Sequence, residues 1–297
     1  MRQEKRAAGF RTIACGVDFS RHSAMALRYA ATLARRSPAR LVAVFAVDPF
    51  LSAAAAAAYD TRALAGTSLL ELRRFVRATL GHTAATAVRC EVVVGKPSQA
   101  IVSVAERVGA DLLVLGTHGL SGVKKMFFGS TTDAILGRPA LPVLAIPRKC
   151  RAPRRTWPRP DAGVVAAIHL DNGLVQEAKA ASEVAALLGV PLDVIVTVPD
   201  VRLPFWIRVN RRAFNRDRLA KAQSWLDRRL TVASAAASPA THILVGAKPE
   251  QIARCAMTLG ADALIVTAPR AYHLLCIARC PLLVLPRLMR SRERAAA

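Results

Sequence analysis

GADLLVL at Gly109–Leu115 recurs as GADALIV at Gly260–Val266, an offset of 151 residues (109 to 260). The same offset lays LVAVFAVDP from Leu41 over LDVIVTVPD from Leu192, and Gly95 of VVVGKPSQAI over Gly246 of ILVGAKPEQI. Three anchors at one spacing identify an internal repeat, and the repeat unit fixes what each half must build. Within the first copy, strand-length apolar runs at Thr12–Val17, Leu41–Val47, Val88–Val94, Leu112–Leu115 and Val143–Ile146 alternate with segments of helical period. The clearest helix opens at Pro97, a residue suited to a first turn, and places Ile101, Val104, Ala105 and Val108 on one face. Ile252, Cys255, Ala256 and Leu259 repeat that stripe in the second copy. Apolar strands alternating with amphipathic helices predict an α/β fold, as two tandem open parallel five-stranded sheets, Rossmann-like, with helices on both faces.

Between the copies lies RKCRAPRRTWPRP, Arg148–Pro160, with six basic residues, three prolines and no acid. Such a composition stiffens a chain and builds no core of its own, so it reads as a linker. The expected division is a first domain over 1–147, a basic linker over 148–162, a second domain over 163–287 and a basic tail over 288–297. The alanine run Ala53–Ala58 fits either an extension of a helix or a loop, and no function is assigned to it.

Of the 297 residues, 53% are hydrophobic, which suits a globular chain, yet the longest apolar runs fall far short of the about 20 residues a membrane span needs. MRQEKRAAGFRT has charge but no apolar core of a secretory signal, and a cytoplasmic protein is expected. The six cysteines are scattered, which predicts reduced, buried thiols. His273, Cys276 and Cys280 lie close in YHLLCIARC, but their spacing matches no standard zinc pattern, and burial near a strand accounts for them. The net charge of +23 attracts polyanions, either nucleic acid, acidic lipid or nucleotide. Against docking on nucleic acid, no aromatic-interleaved basic motif or nucleic-acid module is present.

In open α/β sheets ligands bind beyond the carboxyl ends of the strands, where strand order reverses. Two predicted strand ends carry suitable residues. The first ends in GVDFS, with Asp18 just past Val17 and Ser20 placed to cap the next helix. The fourth runs into GTHGLSGVKKMFFGSTTD, Gly116–Asp133. Gly116 and Gly119 allow close backbone approach, and Gly129 precedes Ser130, Thr131 and Thr132 at a helix start whose N–H groups suit an anion. Ser130 with Asp133 has capping-box spacing, so helix initiation competes with ligand binding as the reason for those residues. Lys124 and Lys125 sit where they can screen phosphate charge or remain solvated. No GxxxxGK[ST] is present, and GxxGxxG at Gly116, Gly119 and Gly122 is not a dinucleotide fingerprint.

What the stretch does spell is G-x2-G-x9-G-S, and here the chain closely resembles the universal stress protein family. Gly116, Gly119, Gly129 and Ser130 match the family's ATP-binding signature, and GVDFS, the VDP after the second strand and GKPSQAI match its other anchors across Arg11–Pro147. The resemblance implies a fold of the adenine nucleotide alpha hydrolase type and ATP as ligand, often with a divalent cation such as Mg2+. It implies that Gly16, Val17 and Asp18 meet the nucleoside, and that Ala46, which stands where valine is usual, lines the adenine pocket with Leu115. Gly116, His118 and Gly119 would follow the ribose and first phosphates, and Gly129, Ser130, Thr131 and Thr132 the distal phosphates.

The second copy resembles a degenerate member. Overlaying Pro147 on Pro286 leaves it 12 residues shorter across the phosphate loop (an offset of 139 against 151), and His169, or Asp171 after a small shift, stands where Asp18 does. No ATP is expected there. Family members commonly dimerise through the final strand, so Val143–Ile146 is expected to pair with Leu282–Leu285 as an intramolecular pseudo-dimer, with a homodimer also open. No sequence feature supplies a nucleophile with a base, or a paired acid and base, where the phosphates are expected, so the leading reading is an ATP-binding stress or regulatory protein acting on an unknown protein partner. The other readings are a basic docking protein for nucleic acid or an acidic membrane surface, and a weak ATPase.

Overall fold

The computed structural model describes residues 9–50, 53, 61–118, 129–170, 173–199, 206, 214, 216–224 and 239–286. The first half runs β1 (Thr12–Val17), α1 (Arg21–Arg36), β2 (Arg40–Val47), α2 (Thr61–Leu80), α3 (His82–Ala85), β3 (Val88–Val94), α4 (Pro97–Arg107), β4 (Leu112–Gly116), α5 (Ser130–Gly137) and β5 (Val143–Ile146). The second runs β6 (Val164–His169), α6 (Leu174–Leu188), β7 (Leu192–Val198), β8 (Ala240–Val245), α7 (Pro249–Thr258), β9 (Ala263–Thr267), α8 (Ala268–Ile277) and β10 (Leu282–Leu285). Residues 216–224 are helical between β7 and β8 apart from this list.

The ten strands among the described residues join one sheet in the order β3-β2-β1-β4-β5-β10-β9-β6-β7-β8. Each half is internally parallel, and the halves meet edge to edge where β5 and β10 pair antiparallel, Leu144 opposite Leu283 and Val143 opposite Val284. The tandem sheets are therefore one sheet, joined by the pairing the last-strand resemblance implies. Both joining strands are buried along their whole length, so neither offers an open edge to another chain.

The pleat sorts the strand residues onto two cores. Ile13, Cys15, Val17, Leu144 and Ile146 face α1, α2 and α6, while Ala14, Val143 and Ala145 face α4, α5, α7 and α8. Each core runs through both halves, so the seam is continuous with the interior. Pro97 opens α4 as its sequence predicts, and Ile101, Val104 and Ala105 are the buried stripe.

The linker differs from its reading. Cys150 and Trp157 are buried in the core on the α1 and α6 face, 8% and 5% exposed. The Trp157 ring stands edge-on to Tyr29 at 4.6 Å, and Arg36 donates to the carbonyls of Pro158 and Gly189. Counting charge and proline missed that one tryptophan can anchor a basic segment. Burial of the thiols is also narrower than expected: Cys15 and Cys150 are buried, Cys90, Cys255 and Cys280 half-buried and Cys276 exposed, all of them free. Among the described residues no helix is long and apolar enough to cross a membrane. Residues 54–58, Lys124, Lys125 and the tail from 287 lie outside the described residues.

Candidate functional site

Within the first half, strand order reverses between β1 and β4, and a cavity of about 130 Å³ opens at their carboxyl ends. Gly16 and Val17 bring β1 to it. A Cβ on Gly16 would stand 2.7 Å from Leu115 Cδ2 and 3.2 Å from Ile101 Cδ1, so glycine lets these two side chains pack directly on β1 at the cavity floor. Asp18 follows at the rim, its Oδ1 accepting from Ser20 N at 3.0 Å and its own N–H donating to Ser23 Oγ at 3.3 Å. Ser20 caps α1 as predicted, accepting from Ser23 N at 3.1 Å.

Phe19 makes this turn possible. It holds φ at 62°, a left-handed conformation that costs a bulky residue about 1–2 kcal/mol, and packs its ring on Phe45 at 4.5 Å and Phe75 at 5.5 Å. The ring contacts offset the strain and send Phe19 into the core while Asp18 stays at the cavity.

Opposite, β4 ends at Gly116, where a Cβ would meet the backbone C and O of His22 at 2.8 Å. Thr132 Oγ1 donates to Gly116 O at 2.8 Å, Gly129 N to Thr117 O at 3.1 Å, and Thr117 N to Ile146 O at 3.2 Å. These bonds seat the start of α5 against the end of β4. The cap of α5 is Gly129, with no side-chain cap, and Ser130 lies exposed inside the first turn. The capping-box reading of Ser130 and Asp133 is therefore not met, because the helix begins one residue earlier than that box requires. Its first intrahelical bond runs from Asp133 N to Gly129 O, which leaves the N–H groups of Ser130, Thr131 and Thr132 ahead of the ladder, in the position that favours an anion.

Gly16, Val17, Asp18, Ala46, Leu115, Gly116, His118, Thr131 and Thr132 all line the cavity. Gly129 and Ser130 adjoin it at the α5 start without lining it, and Gly119 lies outside the described residues. Ser23, Phe45, Pro97 and Ile101 complete the wall. The sequence marks Pro97 and Ile101 as helix residues and as part of the GKPSQAI anchor but not as cavity wall, because a helix stripe does not tell which end of it meets a ligand. The cavity has the scale of a heterocyclic base; its small, partly apolar wall of Ala46, Ile101 and Leu115 suits a flat ring, with hydroxyls and helix N–H groups on the far side.

His118, which lines the cavity, meets His22 with ring centroids 5.2 Å apart and planes tilted by 38°. His118 Nδ1 lies 2.9 Å from Thr117 Oγ1, which also lies 3.2 Å from Ile146 O, so Thr117 orients the ring in either tautomer. His22 Nδ1 is buried without a hydrogen-bond partner. Burial first, then His118, Arg21 and Arg148, hold His22 below its ordinary value, with Asp18 opposing; burial, Arg148 and Arg21 lower His118. Both rings therefore bind protons less readily folded than unfolded, where histidine titrates near about 6.5. The unfolded chain gains protons as pH falls through that value, so folded stability drops. The melting temperature of nucleotide-free protein is expected to fall between pH 7.5 and 5.5, with a shallower fall in His22→Asn; an identical slope in that variant would refute the assignment.

Among the described residues the second half shows no counterpart to this site. Thr267, the last residue of β9, itself caps α8, so no loop separates strand from helix, and His169 at the position of Asp18 bonds Thr197 Oγ1 at 2.7 Å. Asp171 lies outside the described residues. The shorter α8 side instead serves the seam, Tyr272 Oη donating to Asp133 O at 2.9 Å.

The sequence profile of the Universal stress protein family matches residues 9–147. A universal stress protein encoded 3′ of the QAH/OAS sulfhydrylase of Thermus aquaticus is 30% identical over 138 residues, 46% of this chain and 98% of that one. Universal stress protein MJ0577 of Methanocaldococcus jannaschii is 38% identical over 58 residues, 20% of this chain and only 36% of that relative's length. Among solved structures, a universal stress protein of Archaeoglobus fulgidus superposes with a TM-score of 0.61 at 14% identity, covering 93% of this chain and 98% of that one, a likeness of fold that spans both halves. With nearly the whole length of the Thermus protein matched at that identity and the strand order in place, the chain belongs to the universal stress protein family.

Proposed function

We propose that the first half, residues 1–147, binds ATP, and that occupancy modulates the protein's conformation or its binding of a partner. The observation that supports this most is the convergence of the β1 end, the β4 end and the α5 start on one cavity, where Gly116 has backbone on the side a side chain would occupy. The base lies between Ala46, Ile101 and Leu115, Asp18 accepts from the ribose hydroxyls, and the backbone N–H groups of Ser130, Thr131 and Thr132 with the Thr131 hydroxyl hold phosphate, the Thr132 hydroxyl being engaged by Gly116 O. A divalent cation such as Mg2+ would neutralise phosphate charge there. The half over 163–287, whose β9 runs straight into α8, serves as scaffold across the seam.

Asp18→Asn separates the nucleoside role from the structural one. Asparagine Oδ1 still accepts from Ser20 N, so the turn persists, while the carboxylate charge is lost. ATP is expected to raise the melting temperature of the native protein. Asp18→Asn should weaken ATP binding about tenfold or more with little change in the melting temperature without nucleotide. Native protein that neither carries nucleotide by mass spectrometry after purification nor gains stability from ATP would sink the proposal.

A further inference from the structure

A second concavity, of about 690 Å³, lies where the linker crosses from one half to the other, and it shares no lining residue with the nucleotide cavity. Its volume falls within the range usual for ligand sites. Tyr29 of α1, the linker, Ala261 and Asp262 ahead of β9, and Arg279 to Pro281 ahead of β10 form it. Its walls are braced from both sides. Tyr29 Oη donates to Arg151 O at 2.9 Å, Trp157 Nε1 to Asp262 O at 3.1 Å, and Arg159 N to Asp262 Oδ2 at 2.6 Å. The Arg159 guanidinium also holds the Asp262 carboxylate, Nη2 to Oδ1 at 3.2 Å.

Asp262 is the one carboxylate in the lining, and Arg159 engages it. Lys149, Arg151, Arg154 and Arg279 also line the space, and among the described residues none of them is ion-paired. Four like charges gathered from two chain segments repel one another until an anion neutralises them, and guanidinium forks match phosphate oxygens in pairs. A singly charged anion offsets one of the four. The rings at the base, Tyr29 and Trp157, are 4% and 5% exposed and packed on each other, so they offer no face for a stacking base. Single-stranded nucleic acid, which relies on such faces, is disfavoured.

We infer that this junction is a second anion site, which takes a small multiply phosphorylated ligand on Lys149, Arg151, Arg154 and Arg279 and so ties the linker to the second half. Inorganic oligophosphate and the phosphate tail of a nucleotide share that chemistry. The test is calorimetric titration of inorganic tripolyphosphate into the full chain stripped of nucleotide. Arg151→Ser/Arg279→Ser removes two of the cations; Arg77→Ser/Arg254→Ser, at exposed positions outside the concavity, removes the same charge and serves as control. The junction variant is expected to weaken tripolyphosphate binding at least about tenfold while the control stays within about twofold. ATP should compete for the junction site and adenosine should not. Equal weakening in both variants, competition by adenosine, or binding of long nucleic acid without binding of tripolyphosphate would each overturn the assignment. Retained ATP binding at the first site in the junction variant shows that it is folded and that the two sites are separate.

Discussion

Gly116→Ala is expected to abolish nucleotide binding and to destabilise the protein by about 1–3 kcal/mol, the usual cost of forcing a methyl group into a packed site. The obstruction is backbone, since the new Cβ would stand 2.8 Å from both the C and the O of His22. No rotamer change relieves it. Relief requires β4 to move away from the first turn of α1, and that movement opens the cavity whose wall both elements form. It also pulls Gly116 O from Thr132 Oγ1, loosening the start of α5 where phosphate is proposed to sit. Gly66 gives the contrast: it lies exposed within α2 with nothing within 4 Å of a Cβ, so Gly66→Ala should stabilise by about 0.5–1 kcal/mol through helix propensity alone. Thermal melting and ATP titration of the two variants side by side make the comparison. A Gly116→Ala protein that melts and binds like the native one would remove the close-approach argument for this site.

The repeat made the sheet legible. Once GADLLVL and GADALIV are set in register, β1, β3 and β5 fall at the bounds their apolar runs imply, and the seam between Val143–Ile146 and Leu282–Leu285 follows from the family likeness. Most of the site was legible for a related reason: strand-end glycines and the hydroxyls after Gly129 act through backbone position, and spacing records backbone position. What spacing does not record is side-chain reach across elements. Phe19 carries no signal of its own in GVDFS, yet its left-handed backbone shapes the turn, a state no sequence rule assigns to phenylalanine. His22 met His118 only after α1 and β4 had packed. Trp157 is hidden in a basic, proline-rich composition although its burial and its bond to Asp262 O help fix the linker.

The seam bears the other large expected effect. Leu144 and Leu283 face each other across β5 and β10, each 2% exposed, in the core shared by both halves. Leu283→Ala should cost about 2–5 kcal/mol, since removed side-chain atoms leave a void that packed neighbours fill only in part. Leu283→Asp should cost more, because a carboxylate there has neither water nor a partner. At roughly 2–4 °C per kcal/mol, the alanine variant is expected to melt at least about 4 °C lower, whereas Leu70→Ala, on an exposed part of α2, should stay within about 0.5 kcal/mol of native. Because the two leucines touch across the junction of the halves, Leu144→Ala and Leu283→Ala should couple, with the double variant departing from additivity by about 0.5–3 kcal/mol. Halves that fold independently and merely adjoin would give additive losses and two separable transitions. Two separable transitions would therefore show that the ten-stranded sheet is not one cooperative unit, and scaffold support of the first half by the second would have no physical route.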